Sequence, residues 1–149
     1  PNLRRVVALK LIHAHLSQDA EFVRRFEEEA AAVAKLRHPN LIQVYDFNHD
    51  GETYYSVFEF VPGETLQARL RRLNKQDRTM ELSEAVEVAA KTADGLNYAH
   101  NKGLIHRDIK PANVMLNVYG EPIVMDFGIA KIMGGTQHTA TGAVLGTAR

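Results

Sequence analysis

The chain has 149 residues, 45% of them hydrophobic, which suits one domain with an ordinary core and excludes a wholly disordered chain. Lysine plus arginine equals aspartate plus glutamate, 18 against 18, so no net field favours nucleic acid or an anionic membrane, and neither is an expected partner. Cysteine is absent, which excludes disulfides and thiolate metal sites and fits a reducing, cytoplasmic setting.

The opening Pro1-Asn2-Leu3-Arg4-Arg5 is not a signal peptide, and no apolar run comes near the 18 residues of a membrane span. The chain starts without Met and inside a strand-like run, so it reads as a piece of something longer, and an anchor outside it stays open. Arg5 to Leu11, around Val6-Val7-Ala8-Leu9-Lys10, is apolar and β-branched and predicts a strand with a basic residue near its end. A helix is expected from Asp19, its N-cap, to Arg37, with Phe22, Phe26, Ala30 and Val33 as the apolar stripe and Pro39 as the stop. Leu41 to Asn48 and Thr53 to Phe60 read as a hairpin turning at Asp50-Gly51. Phe58-Glu59-Phe60-Val61-Pro62-Gly63 follows as an extended segment broken by Pro and Gly.

Thr65 to Asn74 predicts a short helix with Leu66, Leu70 and Leu73 on one face and a solvated basic exterior of Arg69, Arg71, Arg72, Lys75 and Arg78. Ser83 is expected to cap a long helix that buries Val86, Ala89, Ala90, Ala93 and Leu96 and stops at Gly103. Asn113 to Asn117 and Ile123 to Met125 bracket Tyr119-Gly120 as a second hairpin, which brings Asn113 and Asp126 to neighbouring strand ends. From Lys131 to Arg149 the chain is rich in Gly and Thr without periodicity and reads as a mobile loop. The histidines outside the 106–113 stretch show no ligand spacing, so a zinc site is not expected.

The chemistry concentrates in His106 to Asn113, His-Arg-Asp-Ile-Lys-Pro-Ala-Asn, and in Asp126-Phe127-Gly128. Phosphoryl transfer depends on positioning and charge neutralisation more than on covalent intermediates, and these residue types suit it. The Asp108 carboxylate can accept a hydroxyl proton, and Lys110 can reach the charge developing on the transferred group. The Asn113 amide oxygen and the Asp126 carboxylate are hard ligands for magnesium. The order His-Arg-Asp, Asn five residues after that Asp and Asp-Phe-Gly eighteen after it resembles the protein-kinase signature. Lys110 is similar to the serine/threonine branch, and Arg25-Phe26-Glu27-Glu28-Glu29-Ala30 resembles bacterial-type members.

The resemblance implies an α+β, two-lobed kinase fold, incomplete at both ends. Residues 1–60 would be part of the small β-rich lobe with its one regulatory helix, and 61–149 part of the larger, mainly helical lobe through the catalytic loop and most of the activation segment. It implies ATP-dependent phosphorylation of serine or threonine on protein substrates, with magnesium, or manganese in its place. Val-Ala-Leu-Lys is similar to the family's Val-Ala-Ile-Lys, so Lys10 would hold the α- and β-phosphates and pair with a helical Glu. Of Glu27, Glu28 and Glu29, the family spacing of 19 residues after Lys10 selects Glu29. The main chain of Glu59 and Val61 would meet the adenine edge, with Phe58 behind it, Ala8 above and Met115 below, while His106 and Phe127 would pack in the spine of the active form. Thr147 would face the substrate hydroxyl. Arg107, directly before the catalytic Asp, implies an activation loop ordered by phosphate at Thr139 or Thr141, added in trans within a kinase homodimer.

Two parts of the family pattern are missing, the Gly-rich strand pair before Lys10 and everything from Ala-Pro-Glu onward, so activity is expected with natural flanks restored. Two other readings compete. Small-molecule phosphotransferases carry His-Gly-Asp and nothing like Lys110, while a non-catalytic kinase-shaped scaffold fits poorly with acids and bases that are all intact.

Overall fold

Val6-Val7-Ala8-Leu9 favours a pleated, half-buried surface, and the chain forms strand β1 there (Val6–Ile12). The computed structural model describes residues 5–12, 20–51, 53–127 and 144–147. These fall into two units, one of 5–36, 43–60 and 144–147 and the other of 37–42 and 61–127.

In the first unit, four antiparallel strands lie in the order β2-β3-β1-β7, with β2 at Val44–Asp50, β3 at Thr53–Glu59 and β7 at Val144–Thr147. Gly51 (φ 57°) makes the turn between β2 and β3, a backbone state that suits glycine. Helix α1 (Ala20–Ala34) buries Ala30 and Val33, and the expected cap Asp19 lies outside the described residues, as do the side chains of Phe22 and Phe26. The helix ends at Ala34, three residues earlier than expected. Lys35 and Leu36 donate to the carbonyls three residues back, at Ala32 and Val33, which tightens the last turn well ahead of Pro39.

Two expectations for this unit need correction. Leu41 is not in β2: it makes an isolated parallel bridge to Val124, and β2 begins at Val44 with a bulge between Val44 and Asp46. The stretch expected to be a loop through to Arg149 contains β7, with Thr147 opposite Val6 and Val144 opposite Leu9. The free edge of β1 offers unpaired main-chain groups, and the β-branched Val144 and Thr147 accept that pairing. Thr139 and Thr141 lie outside the described residues.

In the second unit, β4 (Gly63–Thr65), β5 (Val114–Asn117) and β6 (Pro122–Val124) form a small antiparallel sheet. Helix α2 (Leu66–Asn74) starts on Thr65, whose Oγ1 accepts from the Ala68 N–H at 3.1 Å, and it buries Leu73 fully while Leu70 is exposed. Helix α3 (Leu82–Asn101) is capped by position at Glu81 and not by Ser83, with no side-chain cap bond. Its buried stripe is also corrected. Val88, Gly95 and Ala99 face inward, whereas Val86, Ala89, Ala90 and Ala93 are exposed. The helix is apolar on two sides, and the side that packs is the one on which Gly95 lets residues 40 and 41 approach. No helix among the described residues is long and apolar enough to cross a membrane.

Candidate active site

The site in the second unit grows from the loop between α3 and β5. Gly103 (φ 80°) ends α3, and Leu104-Ile105 leads into His106, which is 1% exposed. The His106 Nε2 donates to the Met125 carbonyl at 2.6 Å, and its Nδ1 accepts from the Asp108 N–H at 3.3 Å. Those two bonds assign the neutral tautomer with the proton on Nε2. Burial pushes the imidazole below its ordinary range, against the smaller opposing pull of the Met125 carbonyl and the Asp126 and Asp108 carboxylates. The ring packs on Phe127 at 5.0 Å between centroids. One buried side chain thus ties the segment at 108 to the segment at 125–127.

Pro111–Asn113 forms a single 3-10 turn, closed by the Asn113 N–H donating to the Lys110 carbonyl at 2.8 Å. Proline at its start sets the turn. Asn113, nearly buried, donates from Nδ2 to the Asp108 carbonyl (2.8 Å) and to Asp108 Oδ2 (3.2 Å), while Lys110 Nζ sits 2.9 Å from the same Oδ2. Asp108, Lys110 and Asn113 are therefore brought together as one cluster. Asp126 follows β6, and the Met125 N–H donates to the Asn113 carbonyl at 2.8 Å, so Asn113 and Asp126 end neighbouring strands.

The donor set fits a divalent metal shared with phosphates. Asn113 spends its amide hydrogens on Asp108, which leaves its side-chain oxygen as a hard neutral ligand at the strand end next to the one that carries Asp126. Among the described residues no group of three or more His, Cys, Asp or Glu could form a metal cage by itself, and magnesium on nucleotide needs none. Arg107 (φ 64°) and Asp126 (φ 49°) are held in the left-handed region, a strained state for non-glycine residues that concentrates at functional sites.

Lys10 is half-buried in β1 opposite Ser56, and Ala8 lies opposite Phe58. The Glu59 N–H donates to the Gln43 carbonyl and its carboxylate accepts from the Gln43 N–H, both at 2.9 Å, so that amide is not available to a ligand. On α1, Glu28 pairs with Arg24 at 3.1 Å and Glu27 is exposed, while the Glu29 side chain lies outside the described residues. In the second unit, Val61 and Met115 are half-buried, and Met115 pairs with both Thr65 and Ile123.

Periodicity did not reveal the support under β6. Asn40, 7% exposed, donates from Nδ2 to the Pro122 carbonyl (2.9 Å) and accepts the Val124 N–H on its own carbonyl (2.8 Å), and the Ile42 N–H donates to the Val124 carbonyl (2.9 Å). The signal was a lone polar residue, Asn40, between Pro39 and an apolar pair.

The protein kinase domain family matches residues 2–149. The serine/threonine-protein kinase PknA of Mycobacterium tuberculosis is 39% identical over 99% of this chain, which spans 34% of that protein. PknB of Mycobacterium leprae is 41% identical over 99% of the chain, which spans 24% of its length. Among solved structures, the PknI kinase domain of M. tuberculosis aligns with a TM-score of 0.73 and 31% identity, over 83% of this chain and 49% of that one. The chain spans about a third or less of the curated relatives it matches. A match over nearly every residue, together with the Asp108, Lys110 and Asn113 cluster beside Asp126, places this chain in the protein kinase domain family.

Proposed function

We propose that this chain is part of an ATP-dependent protein serine/threonine kinase, and that the observation carrying this reading is the Asp108 carboxylate held between Lys110 Nζ and Asn113 Nδ2. A carboxylate at this position is a suitable acceptor for the proton of a substrate hydroxyl. As that oxygen bonds to the γ-phosphorus and the bond to the β,γ-bridging oxygen breaks, the hydroxyl proton passes to Asp108 and ADP leaves. Lys110, 2.9 Å from Asp108 Oδ2, would meet the negative charge developing on the transferred group. Asn113 and Asp126 would hold magnesium, or manganese in its place, which neutralises phosphate charge when bound. Lys10 takes the α- and β-phosphates, with Glu29 as its partner, and the main chain of Val61 and the Glu59 carbonyl meet the adenine edge. The substrates are proteins carrying Ser or Thr, on the cytoplasmic side where ATP is available.

The test is phosphate transfer by the full-length protein and by Asp108→Asn. The substitution keeps shape and both donors' partner atom while removing the base. We expect nucleotide affinity to persist and kcat to fall by roughly 10² to 10⁴, the usual worth of a positioned general base. An unchanged kcat assigns the proton to another group.

A further inference from the structure

We propose that Gly63 is a positioning residue for nucleotide: by lacking a Cβ it lets the segment just after Val61 lie against β5, the strand that carries Met115 and begins directly after Asn113. The inference rests on the reading that the Val61 main chain meets the adenine. Gly63 pairs with Asn117, Glu64 with Leu116 and Thr65 with Met115. A Cβ built on Gly63 would stand 2.0 Å from the Leu116 carbonyl oxygen and 3.0 Å from Asn117 Cα, and the φ of 151° is itself one that favours glycine. The three nearest atoms are all backbone, so no side-chain rotation relieves the contact.

Which strand would yield is decided by burial. Val114 and Leu116 of β5 are 3% and 4% exposed, whereas Gly63 is exposed and follows the exposed Pro62. A side chain at 63 therefore displaces β4 and leaves β5 seated, by a distance on the order of 1 Å if real contact limits are to be met. Beyond β4 the chain is fastened. Thr65 caps α2, Glu64 pairs with Arg72 at 2.6 Å and lies 3.8 Å from Arg69, and Arg69 pairs with Glu84 of α3 at 3.1 Å. With residues 64 to 72 held, the shift is taken up on the other side, at Val61 and Pro62. The 111–113 turn lies near β4 as well, but Asp108, Lys110 and Asn113 are fastened to one another and to Met125 by their own hydrogen bonds, which resist the shift where the exposed Pro62 does not.

The consequence is a split between binding and turnover. In the full-length protein, Gly63→Ala should raise the KM for ATP by on the order of tenfold while kcat stays near the parent's, because misplacement of about an ångström falls chiefly on the nucleotide contact. Thr65→Ala is the control, since it loosens α2 by removing a cap without adding an atom between β4 and β5. It should lower Tm and leave the KM for ATP unchanged. A second measurement avoids dependence on a variant that folds poorly: in the parent, hydrogen exchange of the 61–65 and 114–117 amides should slow together on adding a non-hydrolysable ATP analogue with magnesium. A KM for ATP that is unchanged in Gly63→Ala, a kcat that falls with KM unchanged, or amides at 61–65 that ignore the nucleotide would each overturn the assignment. A parent that turns over no ATP overturns the functional reading as well, which separates the two failures.

Discussion

Asp126 combines two properties that a single substitution can separate. Its φ of 49° lies in the left-handed region, which Asn tolerates as readily as Asp, so Asp126→Asn removes the charge and spares the backbone. Nucleotide affinity without metal should be unchanged, and the gain on adding magnesium should fall, because an ionised hard ligand is gone. Calorimetry with and without magnesium checks this, and an unaltered ratio assigns the metal elsewhere. His106 makes a prediction about acid. Burial holds its folded-state pKa below the ordinary value of about 6.5, so the unfolded chain binds the proton more tightly. Its contribution is complete above about pH 6.5 and is lost as pH falls from there through the folded value. Tm should therefore decline below pH 6.5. His106→Phe, although less stable at neutral pH for want of the Met125 and Asp108 bonds, should show a shallower decline, measured by thermal melts from pH 7.5 to 5. Equal slopes would mean that His106 does not take up a proton on unfolding.

At the scale of elements, α3 carries the packing that its sequence conceals. A Cβ at Gly95 would meet Leu41 Cδ2 at 3.0 Å and the Asn40 carbonyl oxygen at 3.2 Å, and that carbonyl is already committed to the Val124 N–H. The contact is tight, and its backbone side cannot rotate away. Gly95→Val should overpack the junction and cost about 1–3 kcal/mol. Gly95→Ala gains up to about 1 kcal/mol of helix propensity against the same crowding and should sit much closer to the parent. Denaturant melts rank the two. If valine were as stable as alanine, α3 would not be pressed against residues 40 and 41. The expectation that Val86, Ala89, Ala90 and Ala93 form the buried face failed for a definable reason: hydropathy ranks alanine above glycine, whereas a close helix contact selects the smaller residue.

For the whole molecule, the prediction concerns regulation. We propose that Thr139 or Thr141 is phosphorylated by a second copy of the same kinase and that this raises activity. Arg107 precedes Asp108 directly, and a guanidinium can grip phosphate through charge-assisted, bidentate bonds. Gly134, Gly135 and Gly142 stand in the same stretch of sequence as these threonines, and glycine gives up more backbone freedom than any other residue when it is fixed, a cost that such an anchor would offset. Mass spectrometry of active full-length protein should find phosphate there, and Thr139→Ala with Thr141→Ala should lower activity. Intact activity in that double variant would give Arg107 another partner.

That Asp108, Lys110 and Asn113 lie together, and that Asn113 and Asp126 end neighbouring strands, was legible in the sequence because the first three fall within six positions and a short hairpin separates the last two. So were β1, the β2–β3 hairpin and α2, whose patterns are local. Only the tertiary structure decided which side of α3 packs, that Leu41 bridges Val124, that Asn40 holds β6 beneath Asp126, and that residues 144–147 pair with β1. It also decided that Asn113 turns its amide hydrogens toward Asp108. Each of these joins groups far apart in the chain, or depends on the absence of a single Cβ, and neither kind of fact leaves a mark on hydrophobic periodicity, which records the neighbours along a segment and not those across from it.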